Sequence, residues 1–224
     1  MGDSSTELIA RVPRSSREAQ EWYDTLSPWY DVIVDPFERT YRASGIELLD
    51  PKPGEQLVDV GSGTGTALVS IARSVGETGC VVGVDVAEGM CEQARKKAAA
   101  STVSDRVAVV RGDALHLPVR SGALDAVFAS FTLELFDTPA IPLVLEEWKR
   151  VVTEDGRVCV VALSKRDAGL ATGLYERVHA IAPRYVDCRP IFARRLLSEH
   201  GFDVVEASDE RMWGLPIELV LATV

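Results

Sequence analysis

Leu57-Val58-Asp59-Val60-Gly61-Ser62-Gly63-Thr64-Gly65 runs an apolar stretch straight into a loop with glycine at every second position. A helical pattern follows over residues 67–75. Glycine accepts positive φ and lets a ligand approach the backbone. The first turn of the next helix offers unpaired N–H groups. Downstream, Val81-Val82-Gly83-Val84-Asp85 ends a second apolar run on an acid, twenty residues after Gly65. A carboxylate at that place accepts hydrogen bonds from both hydroxyls of a ribose. Two strands, each delivering ligand-binding groups at its carboxyl end, define a nucleotide-type α/β fold.

The spacing narrows the ligand. A dinucleotide fingerprint needs its third glycine at position 66, which is Thr. No G-x-x-x-x-G-K-[ST] run exists either, so a P-loop is excluded.

The same rhythm continues outward. Val-rich runs at 56–60, 80–85, 107–111, 123–129 and 157–163 read as strands buried on both faces. Helical patterns at 67–75, 88–100 and 141–152 lie between them, the last stopping at Glu154-Asp155-Gly156. Alternating strands and helices predict a doubly wound, Rossmann-like, seven-stranded and mostly parallel sheet with helices on both faces. Residues 192–200 read as a helix, and 202–207 and 218–223 as closing strands. Trp213 reads as a core residue. Two segments fall outside the rhythm. Residues 17–50 read as two aromatic-rich helices, an N-terminal lid; residues 166–189 read as a helical cap insertion. Residues 1–16 read as a flexible tail, and 17–224 as one domain.

Composition excludes several classes. The net charge of −10 opposes polyanions, so no nucleic-acid partner is expected. No apolar run approaches the roughly 20 residues of a membrane span. Cys80, Cys91, Cys159 and Cys188 form no C-x-x-C pair and no Cys/His cluster, so no metal site is expected and a reducing, cytoplasmic setting is.

These motifs resemble those of class I S-adenosylmethionine-dependent methyltransferases. Val58 to Gly65 is similar to motif I, and Gly83-Val84-Asp85-Val86-Ala87-Glu88-Gly89-Met90 to the next. Gly112-Asp113-Ala114 with Leu117-Pro118 resembles the third, and Leu124 to Phe131 the fourth-strand motif. The resemblance spans about residues 20–224 and leans to the UbiE/COQ5-like (methyltransferase type 11) branch, whose leading element Tyr23 to Asp31 resembles. It implies S-adenosyl-L-methionine as cofactor, held by Tyr30, Gly61, Gly63, Thr64, Gly65, Asp85, Val86, Met90, Asp113, Ala114 and Ser130. Asp85 would take the ribose, Met90 flank the adenine and Asp113 meet the adenine amino group.

The acceptor expected is a small or amphiphilic molecule: quinol-like, a phospholipid amine headgroup, or another small compound. Glu134, Tyr185 and Asp187 are the acceptor-side candidates, because they lie near the carboxyl edge of the sheet or in the cap. A homodimer and peripheral membrane contact both fit this reading. Two rivals stay open: a non-catalytic S-adenosylmethionine-binding regulatory protein, and an NAD(P)-dependent oxidoreductase, which the glycine register disfavours.

Overall fold

A computed structural model describes Ile9 and residues 16–166 and 188–224. The cap insertion's residues 167–187, with Tyr185 and Asp187, lie outside the described residues.

Among the described residues, seven strands form one sheet: β1 (Gln56–Val60), β2 (Cys80–Asp85), β3 (Val107–Arg111), β4 (Leu124–Ser130), β5 (Val152–Leu163), β6 (Asp203–Met212) and β7 (Leu215–Thr223). Their order is β3-β2-β1-β4-β5-β7-β6. The first five are parallel, while β7 runs antiparallel to both its neighbours. The reversal follows from a two-residue hairpin. Met212 pairs with Leu215, and Trp213 and Gly214 both take positive φ, 51° and 85°. That twist suits an antiparallel pair. Trp213 is therefore not a core residue. It sits at the hairpin tip, 70% exposed, edge-on to Phe37 at 4.4 Å between ring centroids.

The strand order reverses between β1 and β4, and the carboxyl ends of β1, β2 and β4 open there into a crevice. Side chains alternate across the sheet, so each strand feeds two cores. Val58, Val60, Val127, Ala129, Val158 and Val160 face one core with Leu145 and Trp148 of α6 (Ile141–Val151) and Leu196 of α7 (Ala193–Glu199). Leu57, Val81, Ala126, Phe128 and Val161 face the other, with Leu68 and Ile71 of α4 (Thr66–Ser74). Two apolar faces explain why these strands read as continuous Val-rich runs. The helix α5 (Glu88–Ala99) follows β2.

Glu154-Asp155-Gly156, expected as a turn beyond a helix, lies inside β5. Between Leu124↔Val152 and Ala126↔Arg157 the register advances five residues on β5 for two on β4, so the polar run is taken up as a bulge.

The leading segment forms three helices, not two: α1 (Ser16–Leu26), α2 (Tyr30–Ile33) and α3 (Asp35–Leu49). Only Val34 separates α2 from α3, and Pro36 starts the latter in its favoured first turn. Close approach anchors α3 to the sheet at Gly45. A Cβ there would come within 2.3 Å of Val161 Cγ2, and Cys159 Sγ lies 3.2 Å from the Gly45 carbonyl. Ile9 is buried in the same core as Val60 and Val84.

Candidate active site

The glycine loop shows why its residue types are needed. Gly61, Gly63 and Gly65 all take positive φ, 68°, 52° and 82°. They do different work. A Cβ on Gly61 would meet Thr132 Oγ1 at 2.3 Å, so this glycine lets the loop pass under the β4 loop. A Cβ on Gly63 would meet nothing within 4 Å: it faces the open cavity. Gly65 caps α4, and a Cβ there would come 3.0 Å from Ala94 Cα of α5. It does not line the cavity, unlike the expectation for this position; its glycine serves helix packing.

Around that loop a single crevice gathers Tyr30, Gly61, Gly63, Thr64, Asp85, Val86, Met90, Asp113, Ala114 and Ser130, every other residue expected to meet the cofactor. Asp85 ends β2 with its carboxylate accepting from Gly63 N and Ala87 N, both at 2.9 Å. Burial raises its pKa, and these amides oppose the rise. Asp113 accepts from Leu115 N at 3.0 Å, which fixes the turn after β3.

Three further groups escaped the reading of the sequence. Asp59 lines the cavity at 2% exposure, with Oδ2 lacking a hydrogen-bond partner. Burial lifts its pKa to about 7, against the pull of Arg42. The available signal was an acid inside a strand buried on both faces, a place that is costly without a function. Ser62 also lines the cavity, and its Oγ, like that of Ser130, is buried without a partner. Orphaned acceptors beside an open glycine backbone fit a ligand that brings its own donors, such as the ammonium of an amino acid.

Arg42 is the third, and only the tertiary fold could reveal it. It lies on α3, buried, bridging Asp35 and Glu38 at 2.5 and 2.7 Å, and borders the cavity. Tyr30 donates to the same Glu38 at 3.0 Å. Burial, then Glu38, raise the Tyr30 pKa, so its hydroxyl keeps its proton at neutral pH.

The leading helices contact α5 and the glycine loop directly. Asp24 Oδ1 accepts from Gly89 N at 2.8 Å, in the first turn of α5. Asp31 pairs with Lys97 Nζ at 2.8 Å and accepts from the Thr64 hydroxyl. Burial pushes the Asp31 pKa up, but Lys97 and Thr64 outweigh it and hold it below its usual value.

The apolar residues lining the crevice come largely from the segment after β4, Phe131, Leu135, Phe136 and Ala140, and the same crevice is lined by Tyr23 and Tyr30. Phe131 holds a left-handed φ of 52°, a strained conformation for a bulky residue. Glu134, expected on the acceptor side, does not line this space. It is fully buried, with Oε1 accepting from Leu163 N at 3.1 Å and Oε2 lacking a partner. Burial raises its pKa to about 8. At three residues per turn, the short 3₁₀ turn Leu133–Leu135 sends its side chains in three directions: Leu133 and Glu134 are buried, and Leu135 borders the cavity. Asp137 is the acid from this segment that does border the cavity.

A β3-β2-β1-β4-β5-β7-β6 sheet with β7 reversed, a glycine loop after β1, and acids after β2 and β3 define the class I S-adenosylmethionine-dependent methyltransferase architecture. The comparisons agree. A family model described as a methyltransferase domain matches residues 57–156. Nocamycin O-methyltransferase of Saccharothrix syringae is 36% identical over 136 residues, 61% of this chain and 48% of that one. A demethylmenaquinone methyltransferase of Corynebacterium kroppenstedtii is 32% identical over 159 residues, 69% of this chain and 64% of its own. A solved S-adenosylmethionine-dependent methyltransferase of Aquifex aeolicus shares the fold, with a TM-score of 0.63, 20% identity and coverage of 92% and 98%. Residues 57–156 thus match a methyltransferase domain, on a sheet with the class I S-adenosylmethionine-dependent methyltransferase fold. It spans about half to two thirds of the length of the curated relatives it matches. No helix among the described residues is long and apolar enough to cross a membrane.

Proposed function

We propose that this protein transfers a methyl group from S-adenosylmethionine to a small or amphiphilic acceptor with a hydroxylated ring, a quinol-like molecule. One observation carries the reading: the crevice lined by the glycine loop and Asp85 is also lined by Tyr23, Tyr30, Phe131, Leu135 and Phe136, which give it apolar and aromatic surface. When bound, the cofactor supplies a methyl group on a sulfonium, already activated for in-line displacement. The protein's share is then mainly positioning. Asp85 would hold the ribose hydroxyls, Asp113 the adenine edge, and Asp59 with Ser62 and Ser130 the amino-acid end. The apolar end excludes water and presses the acceptor ring toward the methyl group. Relatives named demethylmenaquinone methyltransferase and nocamycin O-methyltransferase support an acceptor of this size and polarity. The lid, residues 17–50, closes over the cofactor through Asp24 and Asp31 and completes the site.

The test has two arms. Calorimetry with S-adenosylhomocysteine should show a Kd in the low-micromolar range or tighter, about −8 kcal/mol, and NAD should not compete. Labelled-methyl transfer is then screened over reduced 1,4-naphthoquinols, amino-headgroup lipids, thiols and small phenols. Turnover on naphthoquinols or phenols is the expected result. Turnover only on lipid amines or thiols overturns the acceptor class. S-adenosylhomocysteine binding with no turnover on any of them favours a non-catalytic binding protein.

A further inference from the structure

The apolar end of the crevice hangs on a segment with little regular structure of its own. After β4 the chain passes through two 3₁₀ turns, Leu133–Leu135 and Thr138–Ala140, before α6 begins. Such short turns satisfy few of their own carbonyls. Yet Leu135, Phe136, Asp137 and Ala140 all line the cavity, so the shape of this segment sets the shape of the acceptor space.

One side chain from elsewhere takes up that slack. Arg189 is 1% exposed. Its Nε donates to the Glu134 carbonyl at 3.1 Å and its Nη1 to the Thr138 hydroxyl at 2.9 Å. Its Nη2 donates to the Phe136 carbonyl. The three contacts span the stretch 134–138, and they draw the Glu134 and Phe136 carbonyls toward the guanidinium. The planar guanidinium fork fixes three acceptors in one geometry, which an ammonium cannot do. The base of the side chain is fixed as well. Two residues on, Ile191 N donates to the Leu163 carbonyl at 2.9 Å, and Lys165 N donates to the Ile191 carbonyl at 2.8 Å, so the backbone is stitched to the end of β5. Asp137, by capping Thr138 N at 2.9 Å, braces the same turn from the other side. A buried Arg that binds backbone carbonyls, and does not border the cavity, holds shape without touching a ligand.

We propose that Arg189 is a positioning residue that sets the acceptor wall 134–140, and through it the enzyme's hold on its acceptor, while leaving the cofactor side unaffected. The inference rests on the methyltransferase reading above only for its kinetic arm.

The experiment compares wild type with Arg189→Lys, Arg189→Met and the milder Thr138→Val, which removes one acceptor and buries no charge. Amide hydrogen exchange and S-adenosylhomocysteine calorimetry need no acceptor. In Arg189→Lys, exchange at 133–140 should speed up by about tenfold or more, the equivalent of one lost buried hydrogen bond. Exchange at 56–65 and 80–90 should hold, and S-adenosylhomocysteine Kd should stay within about twofold. Thr138→Val should show the same pattern at smaller amplitude, so the test survives if Arg189→Met does not fold. With a reduced 1,4-naphthoquinol as acceptor, KM should rise by about tenfold with kcat changed far less. Unchanged exchange at 133–140 in Arg189→Lys and Thr138→Val would overturn the proposal. So would a loss of S-adenosylhomocysteine affinity as large as the loss of protection, which marks a general structural role. A wild type that binds S-adenosylhomocysteine but ignores the quinol counts against the acceptor class, and the exchange data still decide on Arg189.

Discussion

The floor of the crevice and its apolar wall are built over different sequence distances. The floor, Gly61 to Asp113, is three consecutive strand-loop units, each delivering its groups at a strand's carboxyl end. The wall draws Tyr23 and Tyr30 from α1 and α2, Phe131 to Ala140 from the segment after β4, and its brace from Arg189. The floor therefore depends on local backbone geometry and the wall on long-range contacts. Perturbations should separate them.

The largest effect is expected on the floor. Gly61→Ala forces a left-handed residue, about 1–2 kcal/mol, and drives a Cβ to 2.3 Å from Thr132 Oγ1. Together these should remove roughly 3 kcal/mol or more of stability or S-adenosylhomocysteine affinity. Gly63→Ala, with nothing within 4 Å, should cost stability only its backbone strain while still impairing binding. Melting curves and calorimetry on the two variants check this. Equal behaviour would mean that the loop's fit under Thr132 is unimportant.

Next comes Asp85→Ala. Losing hydrogen bonds to a charged acceptor should weaken S-adenosylhomocysteine binding by about 1.5–3 kcal/mol. The variant should still fold, although Gly63 N and Ala87 N lose their acceptor. Calorimetry showing unchanged affinity would reduce Asp85 to a loop cap.

The wall should show itself through pH. The folded protein holds the Glu134 proton up to about pH 8, whereas an unfolded chain releases it near the ordinary 4.5. Between those values the folded state binds more protons, so stability falls as pH rises through the window. Asp59, raised to about 7, acts in the same sense on the floor. Glu134→Gln removes the wall's part alone and should gain stability over wild type at pH 8 relative to pH 5. Denaturant titrations at the two pH values measure it; parallel pH profiles would show that Glu134 does not retain its proton.

The smallest effect belongs to the lid. Asp31→Asn weakens a half-exposed pair with Lys97, worth about 0.2–1 kcal/mol. Global stability should barely move, while hydrogen exchange at 17–50 should rise and be partly restored by S-adenosylhomocysteine. Identical exchange with and without ligand would refute a closing lid.

Much of the floor was legible in the sequence because its information is local. Glycine spacing follows from backbone φ, the Val-rich runs from burial on both faces, and the acid after β2 from strand length and ribose chemistry. The same local logic placed the first five strands, but not the reversal of β7, which a two-residue hairpin at Trp213-Gly214 imposes. It also misplaced Trp213. A glycine serving helix packing and one serving a ligand look alike in sequence, as do a core tryptophan and one at a hairpin tip. The wall was hardly legible. Nothing near Arg42 or Arg189 marks either as buried, and Glu134 looked like a site residue because it follows β4. Whether a side chain there faces the cavity or the interior depends on the 3₁₀ turn and on what packs behind it. Sequence by itself determined the glycine loop after β1 and the acids that end β2 and follow β3, since dihedral preference and strand periodicity act between near neighbours. Only tertiary structure decided which residues of the leading helices and of the segment after β4 line the crevice together, since they lie about a hundred positions apart.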